Sequence, residues 1–218
     1  MRVRKMHEPQ PAMQFVDLRQ QHDVAQLGMW VFLATEVLFF GGLILAYSAY
    51  RIGYSSGFAQ AAARTEILIG STNTAVLLTS SFLVAWAVVI VRLREGRIAG
   101  LLLWGAAGLG IVFLALKGIE YGIEYRAHLL PGLNFAATGS QAHATHLFFA
   151  FYFIATGLHA VHLAVGIVVL VVIGVRARQG AYSEHYHAPI TVAGLYWHFV
   201  DVVWIFLFAL IYLPGRSS

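Results

Sequence analysis

The chain has 218 residues, of which 59% are hydrophobic and only 11% are charged, whereas soluble domains carry roughly 25% charged residues. This composition excludes an ordinary water-soluble globular protein. The net charge of +4 is spread over isolated Lys and Arg residues and does not indicate a nucleic-acid partner, and a chain without cysteine forms neither disulfides nor thiolate metal sites.

Five apolar stretches meet the requirement of roughly 20 residues for a helix that crosses a bilayer. They are residues 27–50, 67–91, 98–119, 147–175 and 190–213. Continuous apolar runs favour helices over the alternating strands of a barrel. We therefore predict an all-α integral membrane protein whose single domain, 27–213, is a five-helix transmembrane bundle. A cytoplasmic or interfacial segment, 1–26, precedes it, and a short tail, 214–218, follows it.

The orientation of the bundle is predicted from the positive charges in its short connections, because cytoplasmic loops retain Lys and Arg. With the N-terminus inside, the cytoplasmic side holds nine such residues: Arg2, Arg4, Lys5, Arg19, Arg92, Arg94, Arg97, Arg176 and Arg178. The other side holds five: Arg51, Arg64, Lys117, Arg126 and Arg216. The count favours an N-inside, C-outside topology. The longest connection, 120–146, contains Pro131, Gly132 and Gly139 and is predicted to be irregular.

The first span carries an acidic residue, Glu36, near its middle. A charged side chain at that depth costs roughly 2.5–3.5 kcal/mol, so it must face protein, water or a headgroup. One interpretation is a protonated carboxyl hydrogen-bonded to a neighbouring helix. The other is a group that handles protons or anchors lipid.

Polar residues in the second and third spans suggest contacts between helices. Asn73 lies in a Ser-Thr-Asn-Thr cluster, a pattern typical of interhelical hydrogen bonds. Lys117, Glu120 and Glu124 follow one another at spacings of three and four, which allows ion pairing along one helix face. We interpret this group as a solvated helix end.

The fourth span contains His159 and His162, which are three residues apart and share a helix face. Such a pair could bind a metal ion or a haem, but zinc prefers three or four protein ligands. Hydrogen bonding across helices is the favoured interpretation.

The fifth span places His198 and Asp201 three residues apart at its middle. They are predicted to form a structural pair with each other or with a nearby donor, because a lone Asp would not be tolerated in lipid; a proton relay is the alternative. Trp197 and Trp204 are seven residues apart and are expected to pack against protein.

The combined motifs resemble subunit III of the haem-copper terminal oxidases, the cytochrome c oxidase subunit III family. The resemblance covers all five spans and depends on residues 34–40 (ATEVLFF), 73–78 (NTAVLL), 117–121 (KGIEY), 155–162 (ATGLHAVH) and 196–204 (YWHFVDVVW). The last two motifs are the most specific.

The resemblance implies a non-catalytic core subunit of a respiratory complex that reduces oxygen to water and pumps protons. Subunits I and II would hold the haems and copper, and this chain would have no catalytic residue, cofactor or metal. It would pack beside subunit I in a bacterial cytoplasmic (inner) membrane, bind phospholipid and support proton uptake. Membership of a larger respiratory supercomplex stays open. Glu36 matches the family's buried carboxyl.

The chain differs from longer family members, which have seven spans, because it begins at what would be the third. Three alternatives stay open at this point. They are an accessory subunit of a nitric oxide reductase, an independent haem electron carrier, and a proton-conducting transporter. The electron donor of the oxidase, cytochrome c or quinol, is also open.

Overall fold

The structure, a computed structural model, describes residues 17–93, 95–133, 135, 141–182 and 186–214. These residues form six helices: α1 (Leu18–Gly53), α2 (Ser55–Ala62), α3 (Ile67–Arg92), α4 (Gly96–Arg126), α5 (Ala142–Arg178) and α6 (Ala188–Tyr212). All except α2 are long and apolar enough to cross a membrane. The prediction of an all-α protein with five spanning helices is therefore confirmed.

Several helices extend beyond the apolar runs that predicted them. α1 begins at Leu18 instead of residue 27, because the Asp17 carboxylate accepts a hydrogen bond of 2.6 Å from the backbone N–H of Gln20 and caps the helix. Residues 18–26 of the predicted segment 1–26 thus belong to α1, and residues 1–16 and 215–218 lie outside the described part of the chain.

The connection predicted to be irregular, 120–146, is partly helical. α4 continues to Arg126 and α5 begins at Ala142, so the prediction was wrong at both ends of this range. The short helix α2 was not predicted, because eight residues of mixed polarity lack a clear pattern. It lies against α5, where Gly57 is so close to Ala144 that a larger residue would not fit.

The bundle is held together by close contacts along its length. α3 packs along α4, α4 packs along α5, and α6 contacts α3, α5 and α1. Trp197 of α6 fits against glycines on two other helices: a Cβ on Gly110 would lie 2.9 Å from the indole, and one on Gly166 would lie 3.0 Å from it. Small residues let helices approach closely in membranes, where packing drives association.

α1 has the most open position of the spanning helices. Leu33, Phe40 and Tyr47 are buried at intervals of seven residues and form its inner seam, while Leu38 and Leu45 on the outer side are 76% and 72% exposed. The Tyr47 hydroxyl donates a hydrogen bond of 2.8 Å to the carbonyl of Leu210 on α6. One face of α1 is therefore fixed to the bundle, and the opposite face is free to contact lipid or another chain.

Candidate functional site

A buried ion pair lies in the second half of α4. Lys117 Nζ donates a hydrogen bond of 3.0 Å to Glu120 Oε2, and the two side chains are 4% and 0% exposed. The spacing of three residues places them on the same helix face. The ion pair is enclosed by protein, although removing two charges from water is costly unless further hydrogen bonds are made.

Two tyrosines from other helices supply those bonds. Lys117 Nζ donates to the hydroxyl oxygens of Tyr152 on α5 and Tyr212 on α6, both at 2.9 Å. The Tyr212 hydroxyl in turn donates to Glu120 Oε1 at 2.6 Å. Lys117 thus makes the three hydrogen bonds that an ammonium group can donate, and they join α4, α5 and α6.

Aromatic rings complete the surroundings of this cation. Lys117 Nζ lies 4.6 Å from the centroid of the Tyr152 ring and 5.5 Å from that of Trp204, within the range of cation–π attraction. Glu124, one turn after Glu120, is 3% exposed. The interpretation of Lys117, Glu120 and Glu124 as a solvated helix end was therefore wrong, because residues distant in sequence cover them.

A second acid pairs with a histidine at the edge of the bundle. Glu36 Oε2 on α1 lies 3.1 Å from His162 Nε2 on α5, and the two side chains are 18% and 20% exposed. The ring of Phe40, one turn along α1, packs edge-on against the imidazole at 5.2 Å between centroids. Glu36 is thus hydrogen-bonded to a neighbouring helix.

The number of protons in the Glu36–His162 pair follows from the hydrogen bond that the other imidazole nitrogen, Nδ1, makes. His162 Nδ1 lies 2.8 Å from the carbonyl oxygen of Leu158, which can only accept, so Nδ1 carries a hydrogen. The contact with Glu36 then needs one further proton, on the carboxyl or on Nε2. The pair holds this proton between its members and has no net charge in either form.

A third polar group lies between α3 and α6. Ser81 Oγ is 2.6 Å from His198 Nδ1, and Ser81 also hydrogen-bonds to Asp201. All three groups have a partner when the His198 Nδ1–H donates to Ser81 Oγ and the Ser81 hydroxyl donates to Asp201. His198 and Asp201, which the sequence places together, are thus linked through a serine that the sequence analysis did not select.

The two tryptophans of α6 are almost fully buried. Trp197 Nε1 donates to Ser80 Oγ, and Trp204 Nε1 donates to Thr74 Oγ1, both at 3.1 Å on α3. Asn73, next to Thr74, is also fully buried, but its side-chain amide has no hydrogen-bond partner among the described residues. The polar cluster of the second span therefore contacts α6 through Thr74.

His159 is separate from His162, although the two share a helix. It is 1% exposed, and its ring packs against Phe113 and Trp204 at centroid distances of 5.4 and 5.2 Å. Neither ring nitrogen has a hydrogen-bond partner among the described residues. Among all the residues that the structure describes, no group of three or more His, Asp or Glu side chains is arranged as a metal ion would require.

Some members of these clusters could not be selected from their own sequence context. Ser81, Tyr152 and Tyr212 each have ordinary neighbours for a membrane helix, and only their positions relative to His198 and Lys117 distinguish them. A charged residue inside a span was the one signal available, because it requires polar partners on adjacent helices. That rule indicates that partners exist without identifying them.

The fold and these polar groups define a class of protein: a multi-pass membrane protein whose spanning helices are joined by hydrogen bonds and ion pairs between polar side chains. Within that class, the family model for cytochrome c oxidase subunit III matches residues 18–216. The chain belongs to the cytochrome c oxidase subunit III family.

Named relatives agree with this family. The chain is 33% identical over 203 residues to "Cytochrome c oxidase subunit 3" of Thermostichus vulcanus, and the match covers 92% of this chain and 93% of the relative. It is 35% identical over 194 residues to the protein of the same name from Synechocystis, covering 88% and 76%. "Quinol oxidase subunit 3" of Bacillus spizizenii is 28% identical over 192 residues, which is 88% of each chain.

Proposed function

We propose that this chain is a non-catalytic subunit III of a haem-copper terminal oxidase that reduces oxygen to water and pumps protons. In this proposal it packs beside subunit I, stabilises it, binds phospholipid and supports proton uptake, while subunits I and II hold the haems and copper. Support comes from the family and from relatives named as subunit 3 of cytochrome c and quinol oxidases. The proposal commits to the oxidase and leaves its electron donor open.

One observation carries the lipid and proton parts of this proposal. The Glu36–His162 pair lies at the edge of the bundle between α1 and α5, and its two side chains are 18% and 20% exposed. A pair that shares a single proton at the edge of the bundle can accept a hydrogen bond from a headgroup at the second Glu36 oxygen, or pass a proton, without exposing a net charge to lipid.

The outer face of α1, which carries Leu38 and Leu45, bears on the position of the chain in the complex. In the most apolar window of α1 only 11% of residues are buried within the bundle. Such a surface suits contact with lipid or with a helix of another chain. The proposal places this face towards subunit I or towards helices that replace the two spans of longer family members, within a bacterial cytoplasmic membrane.

The test is the substitution Glu36→Ala in the complete oxidase, purified in mild detergent. The expected result is fewer retained phospholipids or faster inactivation during turnover, with unchanged haem content. Thr35→Ala is the matched control, because Thr35 is exposed and, among the described residues, its hydroxyl bonds only to the Phe32 carbonyl of its own helix.

Two results would contradict the proposal. Loss of haem on substitution of Glu36 would indicate a role in the catalytic centre, and unchanged lipid content together with unchanged inactivation would remove the assigned role. Identification of the chains that co-purify with this one tests the oxidase assignment separately. Their absorbance spectra should show haem bands that the isolated chain lacks.

A further inference from the structure

A pocket opens at the end of the bundle where α4 begins and α5 ends. It has a volume of about 420 Å³ and is lined by Arg97, Trp104, Val175, Arg178 and Gln179, which we call the arginine pocket. It contains no residue of α1, so it is distinct from the Glu36–His162 pair. Two guanidinium groups and an indole line a cavity of the size that small ligands occupy.

Close contact between the two helices builds this pocket. A Cβ on Gly174 of α5 would lie 2.7 Å from the Trp104 ring, and a Cβ on Gly100 of α4 would lie 2.7 Å from the Gly174 carbonyl oxygen. Both positions therefore need glycine. The Trp104 indole N–H donates a hydrogen bond of 3.3 Å to the carbonyl of Val171, which fixes the ring against α5.

The ring of Trp104 holds one of the two cations in place. The Arg178 guanidinium lies over it at 4.5 Å from the centroid, a geometry typical of cation–π stacking. Among the residues that the structure describes, neither Arg178 nor Arg97 forms an ion pair. Both guanidinium groups retain N–H donors in the fork arrangement that binds phosphate or carboxylate oxygens in pairs.

The wall below the arginines is apolar and exposed. Val175 lines the pocket, and Val171 and Val168 follow at spacings of four and three, which places all three on one side of α5. Their exposed fractions are 39%, 40% and 62%. This row leads from the cationic pocket along the part of the helix that crosses the membrane.

A ligand that suits both parts has an anionic head and apolar chains. We propose that the arginine pocket binds the phosphate of an anionic phospholipid, with an acyl chain along Val175, Val171 and Val168. Basic pockets between membrane helices are suited to such headgroups. A carboxylate side chain from another subunit could neutralise the arginines, but it would make no use of the apolar row.

The experiment measures binding of phosphatidylglycerol to the purified and delipidated complex by native mass spectrometry. The variants are Arg97→Gln and Arg178→Gln, each of which removes one positive charge from the pocket. Arg176→Gln is the matched control, because it removes the same charge from the same turn of α5. Arg176 does not line the pocket. Arg97 is exposed, so Arg97→Gln leaves the packing of the helices intact. It tests the pocket even if Arg178→Gln disturbs the stacking on Trp104.

Each pocket variant is expected to weaken binding of phosphatidylglycerol about tenfold, the effect of losing one charge-assisted hydrogen bond. The Arg176→Gln control should stay within about twofold of the unsubstituted complex, because Arg176 is exposed to solvent and does not line the pocket. Phosphatidylcholine, which has the phosphate but no net charge, should bind more weakly than phosphatidylglycerol. Inorganic phosphate alone should not displace the lipid, because it gains nothing from the valine row.

Three results would overturn the proposal. Equal losses in all three variants would indicate only a general effect of charge. Complete displacement of the lipid by inorganic phosphate would assign the pocket to the free anion. Loss of other subunits from the Arg97→Gln complex, with lipid binding unchanged, would assign it to a protein carboxylate.

Discussion

Lys117 and Glu120 form an ion pair of 3.0 Å that is enclosed on all sides by the bundle. The pair belongs to one helix, but its remaining hydrogen bonds come from Tyr152 and Tyr212 on two others. The ion pair therefore acts as a junction where three spanning helices meet.

Neutralising one member of this pair should strongly destabilise the bundle. Lys117→Met or Glu120→Gln leaves the other charge buried and uncompensated, at a cost of about 3–5 kcal/mol. The Lys117→Met/Glu120→Gln double variant should lose less stability than the sum of the two single variants. Thermal denaturation of the purified complex, with release of this chain as the readout, measures the difference.

The control for this series is Arg64→Gln, which removes an exposed charge and should change the denaturation temperature little. Strictly additive losses in the double variant would contradict a coupled ion pair.

Replacing Glu36 by Gln should be milder than replacing it by Ala. The side-chain amide of the Glu36→Gln variant would donate an N–H to His162 Nε2, whereas Ala would leave that nitrogen without its partner at a cost of about 1–3 kcal/mol. We expect Glu36→Gln to stay near the unsubstituted complex in thermal stability and Glu36→Ala to fall below it. Equal stability of the two variants would show that the contact between α1 and α5 does not depend on this hydrogen bond.

The glycines that face Trp197 should not tolerate an added methyl group. Gly110→Ala would place a Cβ 2.9 Å from the indole and is expected to cost about 1–3 kcal/mol through overpacking. Gly108→Ala on the same helix meets nothing within 4 Å inside this chain and is the matched control. Thermal denaturation of both variants distinguishes a close-packing requirement from a general effect of glycine in helices.

The N-inside orientation can be tested directly, because the chain has no cysteine. Single substitutions Ala181→Cys and Leu133→Cys add one thiol to the connections at opposite ends of α5, at positions that are both exposed. A membrane-impermeant maleimide should label Ala181→Cys from the cytoplasmic face and Leu133→Cys from the outer face. The reverse labelling pattern would overturn the orientation predicted from the arginines.

The sequence was sufficient for the spanning helices, because the length of an apolar run follows directly from the thickness of the bilayer. It was less reliable for helix ends. Asp17 extends α1 through a single capping bond, and α4 continues past residue 119 because the polar residues Glu120 and Glu124 are covered instead of solvated. Local polarity indicated the end of an apolar run there, not the end of a helix.

The pairing of polar groups depended on contacts between residues far apart in sequence. Glu36 was correctly recognised as a residue that needs a partner, but the choice of His162, 126 positions away, required the packing of α1 on α5. The expected link between His198 and Asp201 passes through Ser81, 117 positions before His198. Spacing along one helix identifies a shared face and does not identify what lies opposite to it.

The Lys117–Glu120 pairing also has a consequence for biogenesis. The counterion follows the lysine by three residues, so α4 already has its own charge compensation when it leaves the ribosome. Lys117 can therefore enter the bilayer already paired with Glu120, before Tyr152 and Tyr212 have been synthesised. The order of translation then matches the order in which the junction is completed, from a local pair to a three-helix cluster.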